Sequence, residues 1–196
     1  MQNNRSLALA CVAVLGLALG TLACDSGKKV AAGPTQEEKI ARGRQISYSS
    51  ACNDCHTPGG LYGNPDSTRL MSGSELGWEG PWGVTYPRNL TPDPETGIPS
   101  WTEKDIVTAF RTGHRPDGSP LLPPMPWPTY AYMSDEDAYA LAAFIKSLPP
   151  IQHKVPDRRP PGAIATGPHV TIPAPPEWDG RHLAPPAPAA PAATTN

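Results

Sequence analysis

The sequence predicts a small all-α domain of about three main helices, with long irregular segments around them. Three segments carry helix-capping residues at the start of an apolar stripe, and no strand pattern is evident beside them. The chain has 196 residues, which is room for one domain, and its 27 prolines limit how much of it can be regular helix or strand. Its net charge of −2 gives no basic surface of the kind that nucleic-acid binding needs.

The N-terminus has the composition of a secretory signal. A single positive charge is followed by an apolar run that ends near Leu22, and this run is shorter than the ~20 residues that a membrane-spanning helix needs. The run leads into Thr-Leu-Ala-Cys, which resembles a bacterial lipoprotein processing box except that Thr21 replaces the usual leucine. We therefore expect residues 1–23 to be a lipoprotein-type signal peptide, Cys24 to be acylated, and residues 24–34 to form a polar tether. An ordinary cleaved signal or an uncleaved anchor is the alternative.

The first predicted helix leads directly into the most distinctive motif of the chain. Thr35 and Glu38 form a capping-box pattern, and Gly43 and Ile46 follow at helical spacing. Residues 57–100, which come after the motif, are rich in glycine, proline and other turn formers. We expect them to form a long loop that wraps over something large and apolar.

Two more helices are predicted after this loop. Thr102 caps the first of them, with Asp105 at the third position, and Gly113 marks its end. Ser134 caps the other, which has acidic residues in its first turn and Lys146 in its last, as the helix dipole favours.

The C-terminal tail differs in composition from the rest of the chain. From Ile151 to Asn196 proline and alanine dominate and no period is sustained, so this part is predicted to be disordered or to form polyproline II helix. The folded domain is therefore expected to span residues 35–150.

The chemistry of the chain is concentrated in the sequence Cys52-Asn-Asp-Cys55-His56. Side chains three apart in a helical turn lie on one face, so the two thiols can form thioether bonds to the vinyl groups of one porphyrin while His56 reaches the iron. A structural zinc site needs four ligands, and a thioredoxin-like dithiol is expected after a strand. Only two cysteines remain in the expected domain, and the motif follows a helix. The pattern therefore favours haem attachment.

A second axial ligand would decide between electron transfer and the binding of small ligands. The candidate thioethers are Met71 in the glycine-rich loop, Met133 at the start of the third helix and Met125 between two prolines. Met133 is explained by packing against the helix that follows it, and the prolines beside Met125 make that segment stiff. Met125 is therefore the predicted ligand, and His114 is the best of the histidine alternatives.

Between about Thr35 and Pro150 the chain carries, in order, the segments ACNDCH, NLTPDPETGIPSWTEKDIVTAFRTG, PDG, PPMPW and MSDEDAYALAAFIKSLPP. Together they resemble the haem domains of class I cytochromes c, most of all those in the cytochrome subunits of bacterial membrane-bound alcohol and gluconate dehydrogenase complexes. The resemblance implies a small cytochrome c fold of about three main helices around one covalently bound haem. It also implies that the first and last helices cross, with a close contact between Gly43 and Phe144.

The resemblance implies further that haem c is attached at Cys52 and Cys55, with His56 and Met125 as axial ligands. Arg88 and Asn89, just before the "LTPD" turn, are candidates for hydrogen bonds to the haem propionates, as are the indoles of Trp82 and Trp127. The dehydrogenase subunits usually carry three such domains, whereas this chain has one C-x-x-C-H sequence. It therefore cannot form a three-haem relay by itself, which leaves a dehydrogenase partner open.

The function expected from these features is that of a monohaem electron carrier rather than an enzyme. Its donor and acceptor would be redox proteins, such as a membrane-bound dehydrogenase or a terminal oxidase. It would lie on the periplasmic side of a bacterial membrane, held by lipid on Cys24 or soluble in the periplasm. The alternatives are a haem-based sensor or enzyme with an open sixth coordination site, and a non-haem binding lipoprotein whose cysteines form a disulfide.

Overall fold

The computed structural model describes residues 33–174. The predicted signal peptide, Cys24 and residues 175–196 lie outside the described residues. The described part contains five α-helices: α1 (Gln36–Ser49), α2 (Cys52–His56), α3 (Glu103–Thr112), α4 (Trp127–Tyr130) and α5 (Asp135–Ser147). It also contains two 3₁₀ turns, Gly60–Tyr62 and Ser67–Arg69, and three short strands: β1 (Gly77–Gly80), β2 (Gly83–Thr85) and β3 (His169–Thr171). Within residues 33–174, no helix combines the length and the hydrophobicity needed to cross a membrane.

Helices α1, α3 and α5 each begin directly after the residue predicted to cap them. The Thr35 hydroxyl accepts a hydrogen bond from the Glu38 backbone N–H at 3.2 Å, and the Glu38 carboxylate accepts one from the Thr35 N–H at 2.7 Å. Thr102 takes part in the same reciprocal arrangement at α3, and Ser134 caps α5. Gly113 ends α3 with φ of 74°, a left-handed conformation that glycine adopts without strain.

Helices α1 and α5 cross at Gly43, where their backbones come into direct contact. A Cβ atom at this position would overlap the carbonyl group of Ala140 and would lie 2.7 Å from the Cβ of Phe144. The close contact near Phe144 that the resemblance implied is therefore present. The main core lies where α1, α3 and α5 meet, and its buried members are Ile46, Met71, Ile106, Val107, Phe110, Ala138, Ala140, Leu141, Ala142, Phe144, Ile145 and Leu148.

The loop over residues 57–100 contains regular structure, which corrects the expectation of an all-α domain. Strands β1 and β2 pair antiparallel within the loop, and β3 pairs parallel with β1 to give the order β2-β1-β3. Prolines and glycines interrupt these strands so closely that none shows an alternating pattern of its own.

Residues 151–174, which we call the strap, return across this loop. Val155 is 3% exposed and packs in a second small cluster with Val84 and Tyr86. Arg159 exchanges two backbone hydrogen bonds with Val84, at 3.1 and 2.9 Å. The prediction of disorder from Ile151 onward is therefore wrong for the strap. Its prolines exclude a helix, but extended backbone can still pair with a strand and bury a valine.

His153 fastens the strap to the loop. Its Nδ1 lies 2.9 Å from the carbonyl oxygen of Ser72, and its Nε2 lies 2.7 Å from a carboxylate oxygen of Glu75. The group is not a hydrolytic triad, because Ser72 is fully buried and its hydroxyl already donates to the Arg69 carbonyl at 2.9 Å. The contacts hold two segments of the chain together.

Replacing Gly43 with alanine should destabilise the domain, because the added methyl group has no space between α1 and α5. We expect a decrease of about 2 kcal/mol or more in the free energy of unfolding, measured by chemical denaturation of the haem-loaded protein. Gly167→Ala is the matched control, since nothing lies within 4 Å of a Cβ built there. Equal stability of the two variants would contradict this close crossing.

Candidate functional site

A left-handed residue separates α1 from the motif. Ala51 has φ of 56° and ψ of 21°, and α2 begins at the next residue. Cys52 and Cys55 are therefore presented from one short helix, as the sequence predicted. Both are half-buried free thiols. Burial raises the pKa of Cys52 to about 11 and also raises the pKa of Cys55, so both are protonated near neutral pH.

The imidazole of His56 is held in one orientation by the loop. Its Nδ1 lies 2.8 Å from the backbone oxygen of Arg88. A carbonyl oxygen only accepts, so Nδ1 carries the proton and the lone pair is on Nε2. Burial lowers the pKa of His56 and so favours the neutral ring. The hydrogen bond to the Arg88 carbonyl has the opposite, smaller effect on the pKa. A neutral imidazole with Nδ1–H bonded to a carbonyl is the form that binds a metal through Nε2.

Asn89 fixes the backbone beside the Arg88 carbonyl. It is 1% exposed, and its side-chain nitrogen donates to the Thr96 hydroxyl at 2.9 Å and to the Ile151 carbonyl at 2.8 Å. Its side-chain oxygen accepts from the Thr91 N–H at 2.9 Å. Both hydrogens of the amide thus bond to protein acceptors, so Asn89 is not a donor for haem propionates. This role could not be predicted from the sequence, because Thr91 and Thr96 in the loop and Ile151 in the strap are brought to Asn89 only by the fold.

The side chain of Arg88 is directed to the strap. Its guanidinium donates to the Pro156 carbonyl at 3.3 Å and lies 3.9 Å from the Asp157 carboxylate. Arg88 therefore contributes to the site through its backbone carbonyl, which bonds to His56. This role does not depend on the type of side chain and so cannot be predicted from it.

The three candidate methionines occupy different environments. Met71 is fully buried in the main core, and its N–H donates to the hydroxyl of Thr57, the residue after His56, at 3.0 Å. Met133 is partly buried against the core, and its carbonyl accepts from Arg111 at 2.8 Å.

Met125 is also partly buried, and it packs against the same core as Cys52. It lies in the irregular stretch between α3 and α4, directly before Pro126, the N-cap residue of α4. His114, the histidine alternative, is exposed at a turn, and its ring bonds to the Thr112 carbonyl at 2.9 Å.

Two partly buried tryptophans in the loop have buried indole N–H groups that the described residues leave unsatisfied. The Nε1–H groups of Trp78 and Trp82 have no hydrogen-bond acceptor among the described residues. A buried donor without an acceptor is unfavourable by about 1–3 kcal/mol. A bound group with carboxylate oxygens, such as the propionates of a haem, would supply acceptors for such donors. Trp78 lines the same cavity as Cys55. The thiols and imidazole of α2, together with the Trp78 N–H, thus fit a haem.

A structural zinc site needs four protein ligands. Across residues 33–174, no group of three or more His, Cys, Asp or Glu side chains is arranged to hold a metal ion.

Comparison with known families agrees with this geometry. The family model described as Cytochrome c matches residues 40–149, which is more than half of the chain. The chain therefore belongs to the cytochrome c family, in which the C-x-x-C-H sequence carries covalently bound haem c.

Curated relatives extend over most of the chain but are longer than it. The chain is 38% identical over 146 residues to the cytochrome c subunit of alcohol dehydrogenase (quinone) of Gluconobacter oxydans, covering 73% of this chain and 29% of that protein. It is 35% identical over 131 residues to the gluconate 2-dehydrogenase cytochrome c subunit of Pantoea cypripedii, covering 67% and 27%. It is 32% identical over 152 residues to a diheme cytochrome c-type protein of Cereibacter sphaeroides, covering 76% and 50%. The chain thus spans half the length of these relatives or less.

Asn89→Ala should weaken the fold because it removes one amide that bonds to three other residues, two in the loop and one in the strap. We expect a decrease of about 2–4 kcal/mol in the free energy of unfolding, measured by chemical denaturation. Asn64→Ala, at an exposed loop position, is the matched control and should change stability little. The role given to Asn89 is wrong if both variants unfold at the same denaturant concentration.

Proposed function

We propose that this protein is a monohaem c-type cytochrome that carries single electrons between redox partners on the periplasmic side of a bacterial membrane. The observation that carries the proposal is the orientation of His56, whose Nε2 is free to bind iron one residue after the second of two thiols on the same helix. One C-x-x-C-H sequence in 196 residues supports a single haem.

Each residue of the proposed site has a distinct task. The thiols of Cys52 and Cys55 would attach the porphyrin to α2 through thioether bonds to its two vinyl groups. His56 would hold the iron through Nε2, because the Arg88 carbonyl accepts a hydrogen bond from its other ring nitrogen. Met125 would hold the iron through its thioether, which would favour ferrous iron and raise the reduction potential. When bound, the haem supplies the one-electron ferric/ferrous couple.

If His56 and Met125 both hold the iron, the site would transfer electrons and transform no substrate. The protein contributes ligation, burial and orientation of the haem. This favours an electron carrier over an enzyme or a sensor, which would need a free coordination position for its ligand.

The partners proposed are redox proteins. Relatives of this chain are named as cytochrome c subunits of alcohol and gluconate dehydrogenases, and a membrane-bound dehydrogenase is accordingly one candidate electron donor. A terminal oxidase is a candidate acceptor. The sequence favours attachment to the membrane through lipid on Cys24, with a soluble periplasmic form as the alternative.

Replacing Met125 tests the ligand set and the function together. Ferric haem with a methionine ligand has a weak far-red charge-transfer band, and Met125→Ala should abolish this band while haem stays attached. The ferrous variant should then bind carbon monoxide rapidly, whereas the unaltered protein should not. The measurement is absorption spectroscopy of protein matured with haem-attachment machinery.

Met133→Ala provides the matched control, because it removes the same side chain from a position explained by packing. It should keep the far-red band. A band that survives in Met125→Ala would refute this ligand assignment. Rapid carbon monoxide binding by the unaltered protein would instead support a sensor or enzyme with an open sixth site.

A further inference from the structure

The segment that carries Met125 has little regular structure of its own. We call residues 121–133 the methionine segment; it joins the turn after α3 to the start of α5. Its regular part is α4, a helix of four residues (Trp127–Tyr130). So short a helix is not stable by itself. The position of Met125 therefore depends on contacts that the segment makes with the rest of the domain.

One such contact ties the end of α4 to the turn before the attachment motif. The hydroxyl of Tyr130 donates to the backbone oxygen of Ser50 at 2.6 Å. Ser50 is the C-cap residue of α1, and its own N–H donates to the Ile46 carbonyl at 2.8 Å, so the accepting carbonyl belongs to a fixed part of the backbone. The Tyr130 ring also packs edge-on against Phe110, with centroids 6.4 Å apart and planes at 90°.

A second contact ties the other side of Met125 to the loop. The hydroxyl of Thr85 donates to the backbone oxygen of Pro123 at 2.8 Å. Thr85 is the last residue of β2 and pairs with Trp78 of β1, so it is held by the sheet. The chain continues from Thr85 to Arg88, whose carbonyl orients His56.

The two hydrogen bonds thus connect the segment that carries Met125 with the parts of the backbone that position His56 and Cys52. They lie on either side of Met125 in the sequence, at Pro123 and Tyr130. Both acceptors are backbone carbonyls, and both donors are side-chain hydroxyls, so each bond can be removed without changing the backbone.

We propose that Tyr130 and Thr85 are positioning residues that hold the methionine segment in place, so that the protein and not the iron sets the position of the Met125 sulfur. This inference rests on the proposed ligation by His56 and Met125. Displacement of the methionine by an external ligand then requires the segment to move, and that movement breaks one or both hydrogen bonds. Removing either bond raises the population of the displaced segment.

Imidazole is the probe for this test. The ferric, haem-loaded full chain is titrated with imidazole, and the loss of the far-red band reports displacement of the methionine. Tyr130→Phe and Thr85→Val should each increase the apparent affinity for imidazole by about three- to tenfold, as expected for one lost hydrogen bond, and the double variant should show a larger increase.

Two controls separate this effect from other consequences of substitution. Tyr132→Phe removes the hydroxyl of a side chain that is 91% exposed and should leave the affinity unchanged. Thr35→Ala removes the N-cap of α1, so it lowers overall stability by a comparable amount away from the methionine segment. It too should leave the imidazole affinity unchanged.

The outcomes distinguish the positioning role of Tyr130 and Thr85 from the ligand assignment. Wild-type affinity in both Tyr130→Phe and Thr85→Val, or an equal increase in Thr35→Ala, overturns the positioning role while the ligand assignment stands. Retention of the far-red band in Met125→Ala overturns both. If Tyr130→Phe does not fold, Thr85→Val alone tests the positioning role, because valine has nearly the same volume as threonine.

Discussion

The hydrogen bond between His56 and the Arg88 carbonyl is the constraint on which the rest of the site depends. It determines which ring nitrogen is free, and it requires a residue far along the loop to return to the attachment helix. Such a return is stable only if the loop is itself anchored. Asn89 provides the anchor through the Ile151 carbonyl, and Arg88 reaches the strap at Pro156. The motif, the loop and the strap are thus joined by hydrogen bonds.

Helices α1, α3 and α5 form the core that supports the motif and the loop. The contact at Gly43 places the backbones of α1 and α5 directly against each other, and α1 leads into the turn that presents Cys52. Helix α3 completes the core and ends at Gly113, where the chain enters the stretch that carries Met125. The two proposed ligands therefore come from parts of the chain that the same three helices support.

The helical part of the fold could be predicted because its signals are local. The caps at Thr35, Thr102 and Ser134 each act over three residues, and so does the attachment motif. The sheet and the strap could not be predicted in this way, since β3 pairs with a strand far away in sequence and proline-rich composition is typical of disordered tails. The same limit applies to the site: the residue types of the motif identify it, whereas the backbone carbonyl of Arg88 has no sequence signature. Met125 remains a prediction that its setting between prolines supports.

The central claim is that one iron atom is held between an imidazole and a thioether in this domain. X-ray absorption at the iron K edge of the purified protein tests it directly, because sulfur and nitrogen neighbours scatter differently. We predict six nearest neighbours of the iron, of which one is sulfur and the others nitrogen, in both the ferric and the ferrous state. A first shell without sulfur, or with only five neighbours, would contradict it.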